Sequence, residues 1–134
     1  MTVPLSPAIC AFLDAPDRYA VLGTANGDRT AHQAVTWFER RGQTIVVNGR
    51  IDRHWAVNAR CTGRLSVAVV DGQDYVILRG RVDVIDDPAV GQADIQALAR
   101  RYGDDTSQFA GQQRVTFVLR PERIALHGSL ADED

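Results

Sequence analysis

Apolar and polar positions in the first half of the chain follow a helical pattern once and then change to short β-rich runs. Ser6 and Pro7 stand before the apolar run 8–13, which predicts a helix with a hydroxyl cap and a proline in its first turn. Further on, turn residues separate three runs rich in β-branched and aromatic residues, at 19–25, 30–39 and 44–48. These runs predict three consecutive strands joined by short turns, arranged as a meander.

The second half mixes predicted helices and strands. Capping residues predict helices over 53–61, with Asp52 as N-cap, and over 89–102. Strands are predicted where apolar residues run together or alternate with polar ones, over 65–70, 75–85, 115–119 and 123–127, with Pro121 separating the last two. Six or seven antiparallel strands with three helices predict an α+β, mostly β fold, a small barrel with helices at its ends. An OB-like barrel is the alternative.

Composition places the chain among ordinary globular proteins. Its 134 residues favour a single domain, 1–134, and 45% hydrophobic with 24% charged residues argues against disorder. The longest apolar run, 65–70, is far too short to cross a membrane, and the N-terminus lacks the positive charge of a secretory signal. We therefore expect a cytoplasmic protein with no membrane partner, whose acidic tail, 129–134, is frayed.

All 15 basic residues are arginine, which excludes lysine chemistry such as Schiff bases and the lysine of a phosphate-binding loop. Three of the 17 acidic residues lie at the C-terminal end, so the rest of the chain is nearly neutral. A broad nucleic-acid-binding face is therefore not predicted, although a local arginine cluster is compatible with this balance. Neither the two cysteines nor the three histidines are spaced as metal ligands, and we expect no structural metal.

Two stretches carry candidate chemistry. The segment 48–58 places Arg50, Arg53 and His54 where a strand ends and a helix begins. Free N–H groups at a helix start and guanidinium groups both bind phosphate, so this junction is a candidate anion site. Asp52 argues against it, because an acidic cap would compete for the same N–H groups. The alternative is a solvated loop with two surface arginines.

The second stretch is the run 32–38, which mixes small, aromatic and hydrogen-bonding side chains. In a site for a flat cofactor, backbone amides bind the ring edge and small residues leave room for the ring. The alternative is that Trp37 and Phe38 are core or dimer-interface aromatics and that His32 lies on the surface.

The order of these elements resembles the split β-barrel flavin and deazaflavin oxidoreductases related to pyridoxamine 5'-phosphate oxidase. The resemblance covers nearly the whole chain and rests on a series of short motifs: Phe12-Leu13, Ala20-Val21-Leu22-Gly23-Thr24, Asn26-Gly27-Asp28, Val35-Thr36-Trp37-Phe38, Asn58, Gly63-Arg64-Leu65-Ser66-Val67, Gly80-Arg81-Val82, Asp86-Asp87-Pro88 and Arg120-Pro121-Glu122-Arg123.

The resemblance implies a homodimer with two cofactor sites at the subunit interface. It implies an F420 (deazaflavin)-dependent oxidoreductase that transfers a hydride to a small organic acceptor. Residues 56–59, Gly63 and 70–72 are similar to members that reduce biliverdin, which suggests a tetrapyrrole. The alternatives are an FMN-dependent oxidoreductase, a non-catalytic dimer that binds a flavin, haem or tetrapyrrole, and a small interaction protein without a cofactor.

The cofactor-binding residues implied by the resemblance are Gln33, Val35, Thr36, Trp37, Asn48, Gly49, Arg50, Arg53, His54, Trp55 and Asn58. The chain departs from the family pattern Ser-x-Lys, whose serine and lysine contact the cofactor phosphate. Arg53 stands at the serine position and Trp55 at the lysine position. Our hypothesis is that Arg50 and Arg53 supply the missing charge while Trp55 packs against the cofactor or the partner subunit. The alternative is that Trp55 closes the site. No catalytic acid or base is assigned, since solvent, His32 or Tyr75 could each supply a proton.

Overall fold

The computed structural model describes residues 1–133, with side chains described through residue 131, and Asp134 lies outside this range. Its strands and helices follow one another along the chain as α1 (Pro7–Asp14), β1 (Ala20–Ala25), β2 (Ala31–Thr36), β3 (Glu39–Arg41), β4 (Thr44–Arg50), α2 (His54–Thr62), β5 (Arg64–Asp71), β6 (Asp74–Ile85), α3 (Pro88–Arg101) and β7 (Arg114–His127). Short 3₁₀ turns cover Thr106–Phe109 and Gly128–Glu133. The first of these lies within the stretch between α3 and β7.

The strands form one seven-stranded antiparallel sheet in the order β2-β1-β5-β6-β7-β4-β3. This confirms the predicted α+β, mostly β fold and is consistent with a split barrel. The predicted meander is wrong, because β2 and β3 lie at opposite edges of the sheet. The run 30–39 breaks at Trp37 and Phe38, and burial of the Phe38 side chain explains the break, since it draws the chain across the core.

The helix ends follow the predicted capping chemistry in two of three places. The Ile9 N–H donates to Ser6 Oγ at 3.2 Å, and Asp87 accepts from the first turn of α3. Helix α2 differs, because its N-cap is Arg53 and no side chain caps it. The predicted cap Asp52 instead pairs with Arg50 at 3.0 Å.

Strand β7 runs through Pro121, where the sequence predicted a break between two strands. A register shift makes this possible: Gly80 faces Pro121 and Arg79 faces Arg123, so Glu122 is the extra residue of a β-bulge. A Cβ at Gly80 would collide with the carbonyl oxygen of Arg120, so only glycine allows the two strands to approach this closely.

The main hydrophobic core lies inside the curved sheet and is closed by α1 and α2. A smaller cluster joins α3 and the first 3₁₀ turn to Trp37. The tail predicted to fray begins with residues that contact the sheet, since Ser129 binds the Asp74 carboxylate and Leu130 is buried. None of the helices in the described residues has the length and apolar character needed to span a membrane.

Candidate functional site

Three arginines meet where β4 ends, α2 begins and β7 begins. Arg50 is the last residue of β4, and Arg53 is the N-cap of α2. Arg114, the first residue of β7, lies directly opposite Arg50 in the sheet. We call these residues the arginine triad. Sequence reasoning found the first two and missed Arg114, because only the pairing of β4 with β7 brings it to the site.

The electrostatics of the triad centre on Arg114, whose side chain is partly buried. Loss of hydration, together with the positive charges of Arg50 and Arg53, lowers the pKa of the Arg114 guanidinium to about 10. Among the described side chains, no carboxylate forms an ion pair with Arg114 or Arg53. Positive charge is therefore concentrated here without an equal number of counter-charges, which favours binding of an anion.

A chain of buried polar groups holds Arg114 in place. Arg114 Nε donates to Asn48 Oδ1 at 2.8 Å, while Asn48 Nδ2 donates to the Gly91 carbonyl at 2.9 Å and to Thr116 Oγ1 at 3.2 Å. Thr116 in turn donates to the Asp94 carboxylate at 2.7 Å. Asn48 is 2% exposed. The structure thus places this predicted cofactor contact beneath Arg114, where it orients the guanidinium.

Trp55 lies in the core and not on the surface of the site. Its indole is 7% exposed and packs against Phe117, with ring centroids 5.1 Å apart. A Cβ at Gly49 would collide with the same indole. The proposed role of Trp55 against a cofactor or partner subunit is therefore wrong, and so is the alternative that it closes the site. Gly49 is required by this packing.

A second polar network ties the β1–β2 turn to α2. Asn26 Oδ1 lies 2.7 Å from His54 Nε2 and accepts from Asn58 Nδ2 at 2.9 Å. Asn58 also donates to Thr24 Oγ1 at 3.1 Å. The His32 and His54 rings stack with centroids 4.2 Å apart. The predicted residues His54 and Asn58 therefore fix the start of α2 against β1 and β2.

Strand β2 is an edge of the sheet, so within residues 1–133 no strand pairs with one side of its backbone. Its Val35 side chain is 69% exposed, while the Gln33 side chain faces a groove further along the sheet. Thr36 donates to the carbonyl of Trp37 at 3.2 Å. The Gln33 and Val35 side chains of this run are therefore accessible, as a site for a flat molecule requires.

Trp37 connects this edge to the arginine triad. Its ring stacks on Tyr102 at 5.2 Å and meets the edge of Phe109 at 6.1 Å. The Arg114 guanidinium lies over the Phe109 ring, with its Cζ atom 5.1 Å from the ring centroid. Trp37 and Arg114 thus share one aromatic neighbour, which brings the end of β2 and the triad together into one candidate site. Phe38, next in sequence, is a core residue.

A comparison with models of known protein families identifies the family of this chain. The model described as pyridoxamine 5'-phosphate oxidase matches residues 5–128. The chain belongs to the pyridoxamine 5'-phosphate oxidase family. The resemblance found in the sequence is thereby confirmed. No curated protein sequence matches the chain.

Several solved structures share this fold. An F420 reductase is 25% identical, with a TM-score of 0.77 over 86% of this chain and 94% of that chain. A conserved hypothetical protein from Mycobacterium tuberculosis is 20% identical, with a TM-score of 0.78 over 94% of this chain and 86% of that one. HutZ, a haem storage protein from Vibrio cholerae, is 14% identical, with a TM-score of 0.72 over 94% and 96%.

Within this pyridoxamine 5'-phosphate oxidase fold, the described residues contain no group of three or more histidine, cysteine, aspartate or glutamate side chains arranged to hold a metal ion. The chemistry that the site offers is that of guanidinium groups, a free strand edge and stacked aromatic rings. These groups bind and orient a ligand, and none of them is placed as a nucleophile with an adjacent base.

Proposed function

We propose that the chain is an oxidoreductase that binds a phosphate-bearing flavin-type cofactor, with coenzyme F420 as the first candidate and FMN as the alternative. The observation that carries this proposal is the arginine triad, in which Arg114 lies partly buried beside two further cations. Membership of the pyridoxamine 5'-phosphate oxidase family supports the flavin-type cofactor. The F420 reductase of similar fold favours the deazaflavin.

The residues present fit such a cofactor. The triad and the uncapped N–H groups at the start of α2 would bind the phosphate, since both offer donors and positive potential. The free edge of β2 would bind polar atoms at the ring edge, and Trp37, held by Tyr102, would form a rigid apolar wall. The cofactor, when bound, supplies the hydride chemistry. The protein's part is to hold it and to keep water away from the reacting atoms.

We further propose that the functional unit is a homodimer. Five residues that lie side by side on neighbouring strands form an apolar row across the outer face of the sheet: Val35, Val21, Ala68, Ile77 and Ala125. Val35 is 69% exposed in the single chain, and Ala125 is exposed as well. Burial of this row against a second copy would remove apolar surface from water and would place the nearby β2 edge beside the interface.

The experiment is a titration of the purified protein with FMN and with F420, followed by fluorescence. Replacement of Arg50 and Arg53 together by alanine should weaken binding of the cofactor that binds to the wild-type chain by at least tenfold, or about 1.4 kcal/mol. A matched control replaces Arg60 and Arg100, two exposed arginines away from the triad, and should leave the affinity unchanged.

A pH series adds a readout specific to Arg114. Affinity should hold up to about pH 9 and fall as the pH rises through about 10, because Arg114 then loses its charge. Unchanged affinity in the Arg50/Arg53 variant would remove the triad assignment. Binding of haem without turnover of any reduced cofactor would replace the oxidoreductase by a storage protein.

A further inference from the structure

A groove of about 640 Å³ crosses the outer face of the sheet beside the apolar row, and no residue of the arginine triad lines it. We call it the sheet groove. Its central line runs over five neighbouring strands through Gln33, Gly23, Ser66, Arg79 and Arg123, each opposite the next in the register. With strands ~4.8 Å apart, this line is roughly 19 Å long. The sheet groove is thus long enough to take an organic molecule of several rings.

The floor of the sheet groove is built of small residues. Gly23, Ala25, Ala31 and Ser66 line it, on strands β1, β2 and β5. None of these side chains rises far above the sheet. A planar molecule can therefore lie on this floor with its face in contact with the strands, which favours flat over bulky ligands.

Arginine dominates the walls. Arg29, Arg64, Arg79 and Arg123 line the sheet groove, and Glu122 is the single carboxylate among its lining residues. Arg64 binds Glu122 at 3.0 Å. The walls therefore keep a strong excess of positive charge, which favours an anionic ligand.

Two cross-strand arginine pairs on this face differ in a way that points to a ligand. Arg64 and Arg81 lie opposite each other on β5 and β6, and Glu122 bridges them at 3.0 and 3.9 Å. Arg79 and Arg123 lie opposite each other on β6 and β7, yet no described carboxylate forms an ion pair with either. Like charges placed directly opposite destabilise a sheet unless an anion lies between them.

The backbone around the sheet groove is specialised as well. Consecutive residues of a regular strand face opposite sides, but the bulge at Glu122 allows both Glu122 and Arg123 to line the groove. At the other end Arg29 has φ of +72°, a left-handed conformation that is uncommon for arginine. Strained residues of this kind concentrate at binding sites.

We propose that the sheet groove binds a flat organic carboxylate, with Arg79 and Arg123 as the pair that binds its carboxylate group. The bound carboxylate bridges Arg79 and Arg123, as the Glu122 carboxylate bridges Arg64 and Arg81. The rings lie on the small-residue floor. This site is separate from the arginine triad, and binding to it requires no cofactor.

The test uses two fluorescent probes of the same shape, 1-pyrenecarboxylate and its neutral amide, 1-pyrenecarboxamide, with the full chain and no cofactor added. The carboxylate should bind more tightly than the amide. The variant Arg79→Gln with Arg123→Gln should weaken binding of the carboxylate at least tenfold and leave binding of the amide unchanged. Both side chains are exposed, so the variant should fold, which a thermal melt checks.

Two matched variants locate the probe. Arg60→Gln with Arg100→Gln makes the same change in net charge elsewhere on the surface and should not alter binding. Arg50→Ala with Arg53→Ala should also leave the probe unaffected, which separates failure of this proposal from failure of the cofactor proposal. Loss of probe binding in that variant would show that the probe binds at the triad and would overturn the sheet-groove site.

Competition tests the small-residue floor. 1-Naphthoate should displace the pyrene probe at a concentration at least tenfold lower than acetate does, and equal potency would overturn a contribution from the floor. Unchanged carboxylate binding in the Arg79/Arg123 variant would overturn the assigned pair. A dimer in the wild type that dissociates in this variant, measured by light scattering, would overturn the ligand site in favour of ion pairs with a second chain.

Discussion

Trp55 stands where the family pattern places a phosphate-binding lysine, yet its side chain contributes to the core and not to the site. The indole packs on Phe117 and above Gly49, which has no Cβ to obstruct it. In the proposed cofactor site, the positive charge that the lysine would provide comes instead from Arg50, Arg53 and Arg114. A change of residue type at one position has thus been accompanied by a different source of charge nearby.

Replacement of Trp55 by lysine should therefore damage the fold and not restore a family site. Loss of the indole packing, with an ammonium group left near the core, should reduce the free energy of unfolding by about 3–5 kcal/mol. Urea denaturation followed by fluorescence or circular dichroism measures this. Val57→Lys, on the same helix at a side chain that is 43% exposed, should cost little. A Trp55→Lys protein as stable as the wild type would contradict the core assignment.

The candidate site shows what a single sequence can and cannot give for individual residues. Arg50 and Arg53 were identified because they are close in sequence and flank a helix start. Arg114 was missed because its proximity depends on the register of β4 against β7. Asn48 was predicted as a cofactor contact, and the structure shows it buried, with three hydrogen bonds, as a support for Arg114.

The bulge between β6 and β7 is the irregularity that shapes the sheet groove. It makes Glu122 an extra residue, and it depends on the close approach at Gly80. Pro121 has no N–H to donate, so it fits in this interrupted part of the ladder. In the sequence the same proline indicated the end of a strand, because the compensating glycine lies on a different strand.

Gly80→Ala should destabilise the chain by about 1–3 kcal/mol, because the added methyl group meets the Arg120 backbone and the strands must separate. The same change should weaken binding of the 1-pyrenecarboxylate probe, because Arg123 directly follows the bulge and would be displaced with it. Chemical denaturation and the probe titration measure the two effects. Gly27→Ala is the control, because a Cβ there meets nothing within 4 Å. Equal stability of the two variants would contradict the requirement for glycine at position 80, because the strands would then separate without a loss of free energy of unfolding.

Helices were better predicted than the connections between strands. Ser6 and Asp87 are local signals that act on the next few residues, and both caps are confirmed. The meander failed because strand order depends on which distant runs bury their faces together. Phe38 carries the chain from β2 at one sheet edge to β3 at the other. That separation leaves β2 as an edge strand, as the proposed cofactor site requires.

The assembled molecule should be a dimer formed through the apolar row on the outer sheet face. Val35→Glu should halve the mass measured by light scattering, because it places a charge within the row, whereas the fold of each chain should persist since Val35 is 69% exposed. Val57→Glu, on α2, is the control and should remain dimeric. A wild-type mass equal to one chain would contradict the proposed assembly.

The lowered pKa of Arg114 implies a trade-off between the stability of the ligand-free chain and its affinity for an anion. While Arg114 is charged, at any pH below about 10, the burial of its charge and the nearby charges of Arg50 and Arg53 disfavour the folded state. Selection for heat resistance in the absence of a ligand would therefore enrich neutral residues at these positions. The most robust mutants from such a screen would be those least able to retain an anion.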